Sequence, residues 1–195
     1  LLKEKNNTIK DIQKKIEIGT VIKQDILEKL VNTAFLSIGS NLGNRKKNIE
    51  KVKFFLNENS INILKTSNIY ETYAWPNKNH PKFYNNVIKI KTELSPTNLF
   101  LVIKDIEKKL GRKKTFVNRP RICDIDILDY NGQIYNLDIK NNKLIIPHPR
   151  LQNRNFVLFP LYEIEKKWKH PVKKTKIRDL ILKLDNFSLY SIKQI

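Results

Sequence analysis

Apolar positions along this chain fall into two periods. Short alternating or continuous apolar runs bounded by Gly, Asn and Pro predict strands over 34–39, 61–72, 86–93, 123–128 and 143–146. Between them the spacing becomes helical. Ile49, Val52, Phe55 and Leu56 share one face after the turn Ser40-Asn41-Leu42-Gly43-Asn44, with Asn44 as N-cap. Ser95 and Pro96 open a second helix as N-cap and first-turn proline, Leu99, Val102, Ile103, Ile106 and Leu110 form its apolar stripe, and Gly111 closes it. Further helices are predicted over 155–167 and 175–184, and Tyr130-Asn131-Gly132-Gln133 reads as a type I′ hairpin turn. The stretch 73–84 is a loop, and 112–121, basic and without periodicity, a mobile one. Elements mixed in this order predict an α+β sandwich, one sheet with helices packed on it.

Residues 1–32 follow a different pattern. Ile9-Ile12-Ile16 and Ile22-Ile26-Leu27-Leu30, each behind a cap-like Thr and separated by Gly19, predict a helical extension that packs on the domain or on a partner, or ends an upstream domain. The main domain is expected over 33–184 and a C-terminal tail over 185–195. The 195 residues contain no methionine, so the chain is read as trimmed, as a fragment or as begun at an alternative start.

Composition narrows the class. With 40% hydrophobic and 29% charged residues the chain is globular, and no apolar run reaches the roughly 20 residues of a membrane span. No secretory apolar region is visible, and the single Cys123 excludes an internal disulfide framework and a cysteine-based zinc cluster. Both fit a cytoplasmic protein. The net charge of +19 makes a field that attracts polyanions, although Lys, Asn and Ile abound everywhere, as a biased genome would also produce. Residues 1–32 carry only +2 of it, seven Lys against five acids.

The candidate chemistry centres on Pro120-Arg121-Ile122-Cys123-Asp124-Ile125-Asp126-Ile127-Leu128. Alternation along a strand puts Asp124 and Asp126 on one face, about 7 Å apart at roughly 3.3 Å per residue, with Cys123, Ile125 and Ile127 packing on the other. Two acids on a β-prone run are a candidate Mg²⁺ site, and Arg121, Arg112, Lys113 and Lys114 supply cations for phosphate oxygens. The pairing points to a nucleoside triphosphate with Mg²⁺. The Gly39-to-Gly43 turn is no Walker loop, since no Gly-Lys-Ser/Thr follows. Phe83, Trp75 and Phe156 offer faces for a planar heterocycle, Asn85 an amide to read its edge, and His148, between prolines, touches a phosphate or fills a turn.

In order, the markers Ile38-Gly39-Ser40-Asn41-Leu42-Gly43-Asn44, Tyr70-Glu71-Thr72, Phe83-Tyr84-Asn85, Glu107 to Arg112, Pro120-Arg121-x-x-Asp124-x-Asp126, Pro147-His148 and Asn153-Arg154-x-Phe156 resemble the 6-hydroxymethyl-7,8-dihydropterin pyrophosphokinases of folate biosynthesis, from about Ala34 to Leu184. The resemblance implies a ferredoxin-like sandwich with mobile loops, and transfer of the β,γ-pyrophosphoryl group of ATP to the pterin hydroxymethyl oxygen with release of AMP. It assigns two Mg²⁺ to Asp124 and Asp126, the migrating phosphates to Arg112 and Arg121, the nucleotide side to Glu107, Lys114, His148 and Arg154, and the pterin to Thr72, Phe83, Asn85 and Phe156. Its substrates are small molecules, with neither nucleic acid nor membrane, and a monomer is expected. Bacterial members often carry a second Arg and a Trp after the first loop Arg, where this chain offers Lys114 and Asn118; Ile145 and Pro149 replace polar residues common beside the His. The alternative from composition is a basic α+β module that binds RNA without catalysis.

Overall fold

A computed structural model describes residues 31–112, 119–139 and 142–195. The helical pair read over 1–32 lies outside the described residues apart from Val31 and Asn32, as do Lys114 and Asn118.

The fold is α+β. Strand β1 (Asn32–Ser40) leads through the Asn44-capped turn into α1 (Arg45–Glu58), and Asn44 Oδ1 accepts the Lys47 N–H at 3.0 Å. Then come β2 (Asn62–Thr66), β3 (Tyr70–Thr72) and β4 (Phe83–Thr92). Helix α2 (Pro96–Lys109) starts as the sequence predicts, with Ser95 accepting from the Asn98 N–H, and precedes β5 (Asp124–Tyr130). After β6 (Tyr135–Ile139) and β7 (Asn142–Ile146), a 3₁₀ turn at Leu151–Asn153 enters α3 (Asn155–Ile164). Short helices α4 (Ile177–Ile181) and α5 (Asn186–Tyr190) and strand β8 (Lys193–Gln194) complete the chain.

The main sheet runs β5-β1-β4-β3-β8, with β2 also on β4. Its two faces bury separate cores. Ile49, Val52 and Leu56 of α1 and Leu99, Ile103 and Ile106 of α2 pack with Leu36, Ile38, Ile88, Ile90, Ile125 and Cys123 on one face. Val157, Leu158 and Leu161 of α3, with Ile177 and Leu180 of α4, cover Phe35, Val87 and Leu128 on the other. Each such aliphatic stabilises the fold by roughly 1.5–3 kcal/mol when fully buried. Both periodicities read from the sequence are thus satisfied, because a sheet between helix layers is apolar on both faces.

Several elements differ from the expected ones. The strand predicted over 61–72 is broken at Ser67, whose hydroxyl accepts the Val87 N–H at 3.0 Å while its own N–H donates to the Val87 carbonyl at 2.9 Å. The side chain replaces one rung of the ladder and lets the strand kink. β4 begins at Phe83, three residues earlier than predicted, because Phe83, Tyr84 and Asn85 pair with Thr72, Glu71 and Tyr70. Asn131 and Gly132 have the positive φ of a type I′ turn, at 52° and 65°, yet β5 and β6 form no hairpin. Asn131 is engaged with Thr33 on β1, and β6 pairs with β7 instead. Helix α3 stops at Ile164, where Lys65 Nζ donates to the Ile164 carbonyl at 3.0 Å, and α4 is shorter than the predicted 175–184.

Candidate active site

The acidic strand sits as its alternation requires. Ile125 and Ile127 enter the α1–α2 core, Cys123 is fully buried there, and Asp124 and Asp126 stay partly exposed. Burial pushes the Cys123 thiol up to about 12, so it packs and does not react.

Arginines converge on both acids. Arg112, just past the end of α2, donates from Nη1 to Asp124 Oδ1 at 2.7 Å, and Arg121 donates from Nη1 to Asp124 Oδ2 at 2.9 Å. Arg154, immediately before α3, donates from Nη1 to Asp126 Oδ2 at 3.1 Å, and His148 Nε2 lies 3.6 Å from the same oxygen. Burial opposes ionisation of Asp126, but His148 and Arg154 outweigh it and hold the carboxyl below its usual range. Burial, followed by the opposing pull of Asp126, leaves His148 below the ordinary histidine value. Its Nδ1 accepts the Arg150 N–H at 3.1 Å, which leaves Nε2 facing Asp126 and, at 3.4 Å, Arg154 Nη1. Arg121 Nε is buried without a hydrogen-bond partner among the described residues.

Glu107 closes this corner from below. Its carboxylate pairs with Arg112, accepts from Lys104 Nζ at 2.9 Å and takes the Ile125 N–H at 2.8 Å. It therefore positions Arg112 and the start of β5 together. Burial raises its pKa against the pull of Lys104 and Arg112.

The heterocycle candidates form a second corner at the adjoining strands. Asn85, buried on β4, donates from Nδ2 to Thr72 Oγ1 at 3.0 Å. A Cβ at Gly39 would stand 3.0 Å from Asn85 Oδ1 and 3.6 Å from the Phe83 ring, so β1 approaches these side chains as closely as glycine allows. Arg121 Cζ lies 5.9 Å from the Phe83 centroid and Arg154 Cζ 5.3 Å from that of Phe156, linking the aromatics to the arginine corner. Glu107, Arg112, Arg121, Asp124, Asp126, His148 and Arg154 make the first corner and Thr72, Phe83 and Asn85 the second; Phe156 joins them from α3 through Arg154, Trp75 stands 69% exposed on the β3–β4 loop away from both, and Lys114 lies outside the described residues.

Two participants went unseen in the sequence. Asn41, buried in the turn after β1, accepts the Arg121 N–H at 2.7 Å and donates from Nδ2 to the Pro81 carbonyl at 3.0 Å, joining the two corners. An Asn beside glycines reads as turn chemistry alone. Lys104 pairs with Glu107 at helical spacing of three, a signal that was available.

Arginines paired with two carboxylates, beside a corner of amide and aromatic side chains, are a donor set that suits phosphate chemistry. Comparison points the same way. The family profile of 7,8-dihydro-6-hydroxymethylpterin-pyrophosphokinase matches residues 35–166. The chain is 41% identical over 151 residues to 2-amino-4-hydroxy-6-hydroxymethyldihydropteridine pyrophosphokinase of Aquifex aeolicus, covering 75% of this chain and 89% of that relative. It is 44% identical to the folic acid synthesis protein fol1 of Pneumocystis carinii over 71% of this chain, but spans only 18% of that longer protein. A crystal structure of Plasmodium falciparum HPPK-DHPS shares the fold with a TM-score of 0.67 at 19% identity, over 85% of this chain and 47% of that one. The chain belongs to the 7,8-dihydro-6-hydroxymethylpterin-pyrophosphokinase family.

Proposed function

We propose that the chain transfers the β,γ-pyrophosphoryl group of ATP to the hydroxymethyl oxygen of 6-hydroxymethyl-7,8-dihydropterin, as a step of folate biosynthesis. The substrate hydroxyl loses its proton, its oxygen bonds to the β-phosphorus, the bond from that phosphorus to the α-phosphate oxygen breaks, and AMP leaves. The observation that carries this reading is the pairing of Asp124 with both Arg112 and Arg121 at 2.7 and 2.9 Å, because it puts phosphate-binding cations on the metal-binding acid.

The residues suit Mg²⁺. Two carboxylates are what Mg²⁺ takes from protein when substrate phosphates and water complete its shell, and Arg121 Nε, buried without a partner among the described residues, is a donor suited to an anionic oxygen. Asp124 and Asp126 would hold the metal, two ions in our reading, which neutralises triphosphate charge and polarises the β-phosphorus when bound. Arg112 and Arg121 bind the phosphates, Glu107 steers Arg112, and His148 and Arg154 fix Asp126 and line the nucleotide side. Phe83 and Phe156 hold the pterin, and Asn85, oriented by Thr72, reads its edge. Positioning and charge neutralisation are most of what such a transfer asks of protein.

The finer fold reading is a ferredoxin-like sandwich, supported by the order β5-β1-β4-β3 with α1 and α2 on one face. Among the described residues no helix is long and apolar enough to cross a membrane, and a cytoplasmic monomer remains our reading. The RNA-binding alternative finds no support, since the arginines of the site rest on carboxylates. The test is product analysis: ATP consumption that requires both the pterin and Mg²⁺ and yields AMP supports the assignment, and ADP as product overturns it.

A further inference from the structure

The stretch 185–195 lies beyond the family match at 35–166, and its sequence pattern reads as a tail. In the fold it touches the α3 residue beside Phe156 and the loop that follows Thr72. Asn155, the first residue of α3 and the neighbour of Phe156, donates from Nδ2 to the Ser188 carbonyl at 2.6 Å and to Ser191 Oγ at 3.4 Å. Its Oδ1 accepts the Phe156 N–H at 2.7 Å, so one amide links α5 to the backbone that aims Phe156. Across the corner, the Phe187 ring lies 6.3 Å from that of Tyr73, the residue after Thr72. Lys78 Nζ, on the same β3–β4 loop, stands 3.8 Å from the Phe187 centroid.

This segment is itself anchored. Asp185 caps α5, with Oδ1 accepting the Ser188 N–H at 2.7 Å. β8 runs antiparallel to β3, Gln194 opposite Tyr70 and Lys193 opposite Glu71, and the Ile195 N–H donates to the Ile69 carbonyl at 3.0 Å. Phe187 and Tyr73 are 52% and 44% exposed, so little burial is gained where they meet. Their contact matters chiefly for where it holds the β3–β4 loop.

We infer that the C-terminal segment is a clasp, in which Phe187 and Asn155 hold the Thr72 side and the Phe156 side of the pterin corner in fixed relation. Both are positioning residues. The inference rests on the pterin reading above, and it predicts an effect on one substrate only. Retaining ATP contacts while losing the clasp should weaken pterin use alone.

The experiment compares Phe187→Ala and Phe187→Tyr with the unmodified full chain. Loss of the aromatic and cation contacts should raise KM for the pterin roughly five- to tenfold, with KM for ATP within about twofold, and Phe187→Tyr should restore it. An unchanged pterin KM, or a parallel rise for both substrates, overturns the inference. Amide exchange over residues 73–82, read without substrate, should be faster in Phe187→Ala than in the unmodified chain. Unchanged exchange overturns the clasp whatever the activity, whereas faster exchange in a chain that does not turn over pterin faults the functional reading and not the clasp.

Discussion

Asn41 and Arg121 hold each other across 80 residues of sequence: the Arg121 N–H donates to Asn41 Oδ1 at 2.7 Å, and the Asn41 N–H donates to the Arg121 carbonyl at 3.2 Å. The other side-chain arm of Asn41, Nδ2, reaches the Pro81 carbonyl. Asn41→Ala should cost about 1–3 kcal/mol through the polar groups it strands, and should impair both substrates. Asn41→Asp keeps the acceptor for Arg121 and loses the donor to Pro81, so its KM should rise for the pterin more than for ATP. Denaturant unfolding with steady-state kinetics checks both, and equal effects of the two variants would contradict the bridging role.

Gly39 is a steric requirement of the corner formed by Asn85 and Phe83. Gly39→Ala would push a methyl to 3.0 Å from Asn85 Oδ1, and the amide would have to leave the Thr72 hydroxyl or the strands would have to part. The expected stability loss is about 1–3 kcal/mol, as for overpacking elsewhere, with weaker pterin binding at unchanged ATP binding. Calorimetric titration with each substrate distinguishes this from general damage.

Replacing Asp124 or Asp126 by Ala should lower turnover at least ~100-fold, because each removes charge and positioning from the transition state. Their ion pairs are partly exposed, so stability should move by no more than about 1–2 kcal/mol. Survival of more than about a tenth of the rate would remove them from the catalytic role.

His170 sets a pH dependence away from the site. Val172 and Lys173 N–H groups donate to its Nδ1 at 3.2 and 3.3 Å, which leaves the proton on a buried Nε2 without a partner among the described residues. Burial, then Lys173, lower its pKa against the pull of Asp129. The unfolded chain therefore binds the proton first as pH falls. Stability is complete above about pH 6.5 and declines as pH falls toward the lower folded value. Unfolding free energies at two pH values on either side of this window should fall less in His170→Gln than in the unmodified chain; an equal fall would contradict it.

Much of this was legible in the sequence because it follows from periodicity and caps. Asn44 and Ser95 cap the helices assigned to them, and Asp124 and Asp126 share the face that alternation gave them. What escaped depends on long-range pairing. Ser67 breaks a strand by lending its hydroxyl to Val87, the Asn131 turn serves β1 and not a β5–β6 hairpin, and β8 is too short to show a pattern before β3 supplies a partner. Asn41 escaped for the same reason, since its partners Pro81 and Arg121 are brought to it only by the fold.

The central claim is transfer of two phosphates as one unit, and the most direct measurement follows both. With ATP labelled at its β- and γ-phosphorus, Mg²⁺ and the pterin, both labels should move together to the pterin product and the released AMP should carry none. Movement of the γ-label alone, leaving labelled ADP, would contradict the account.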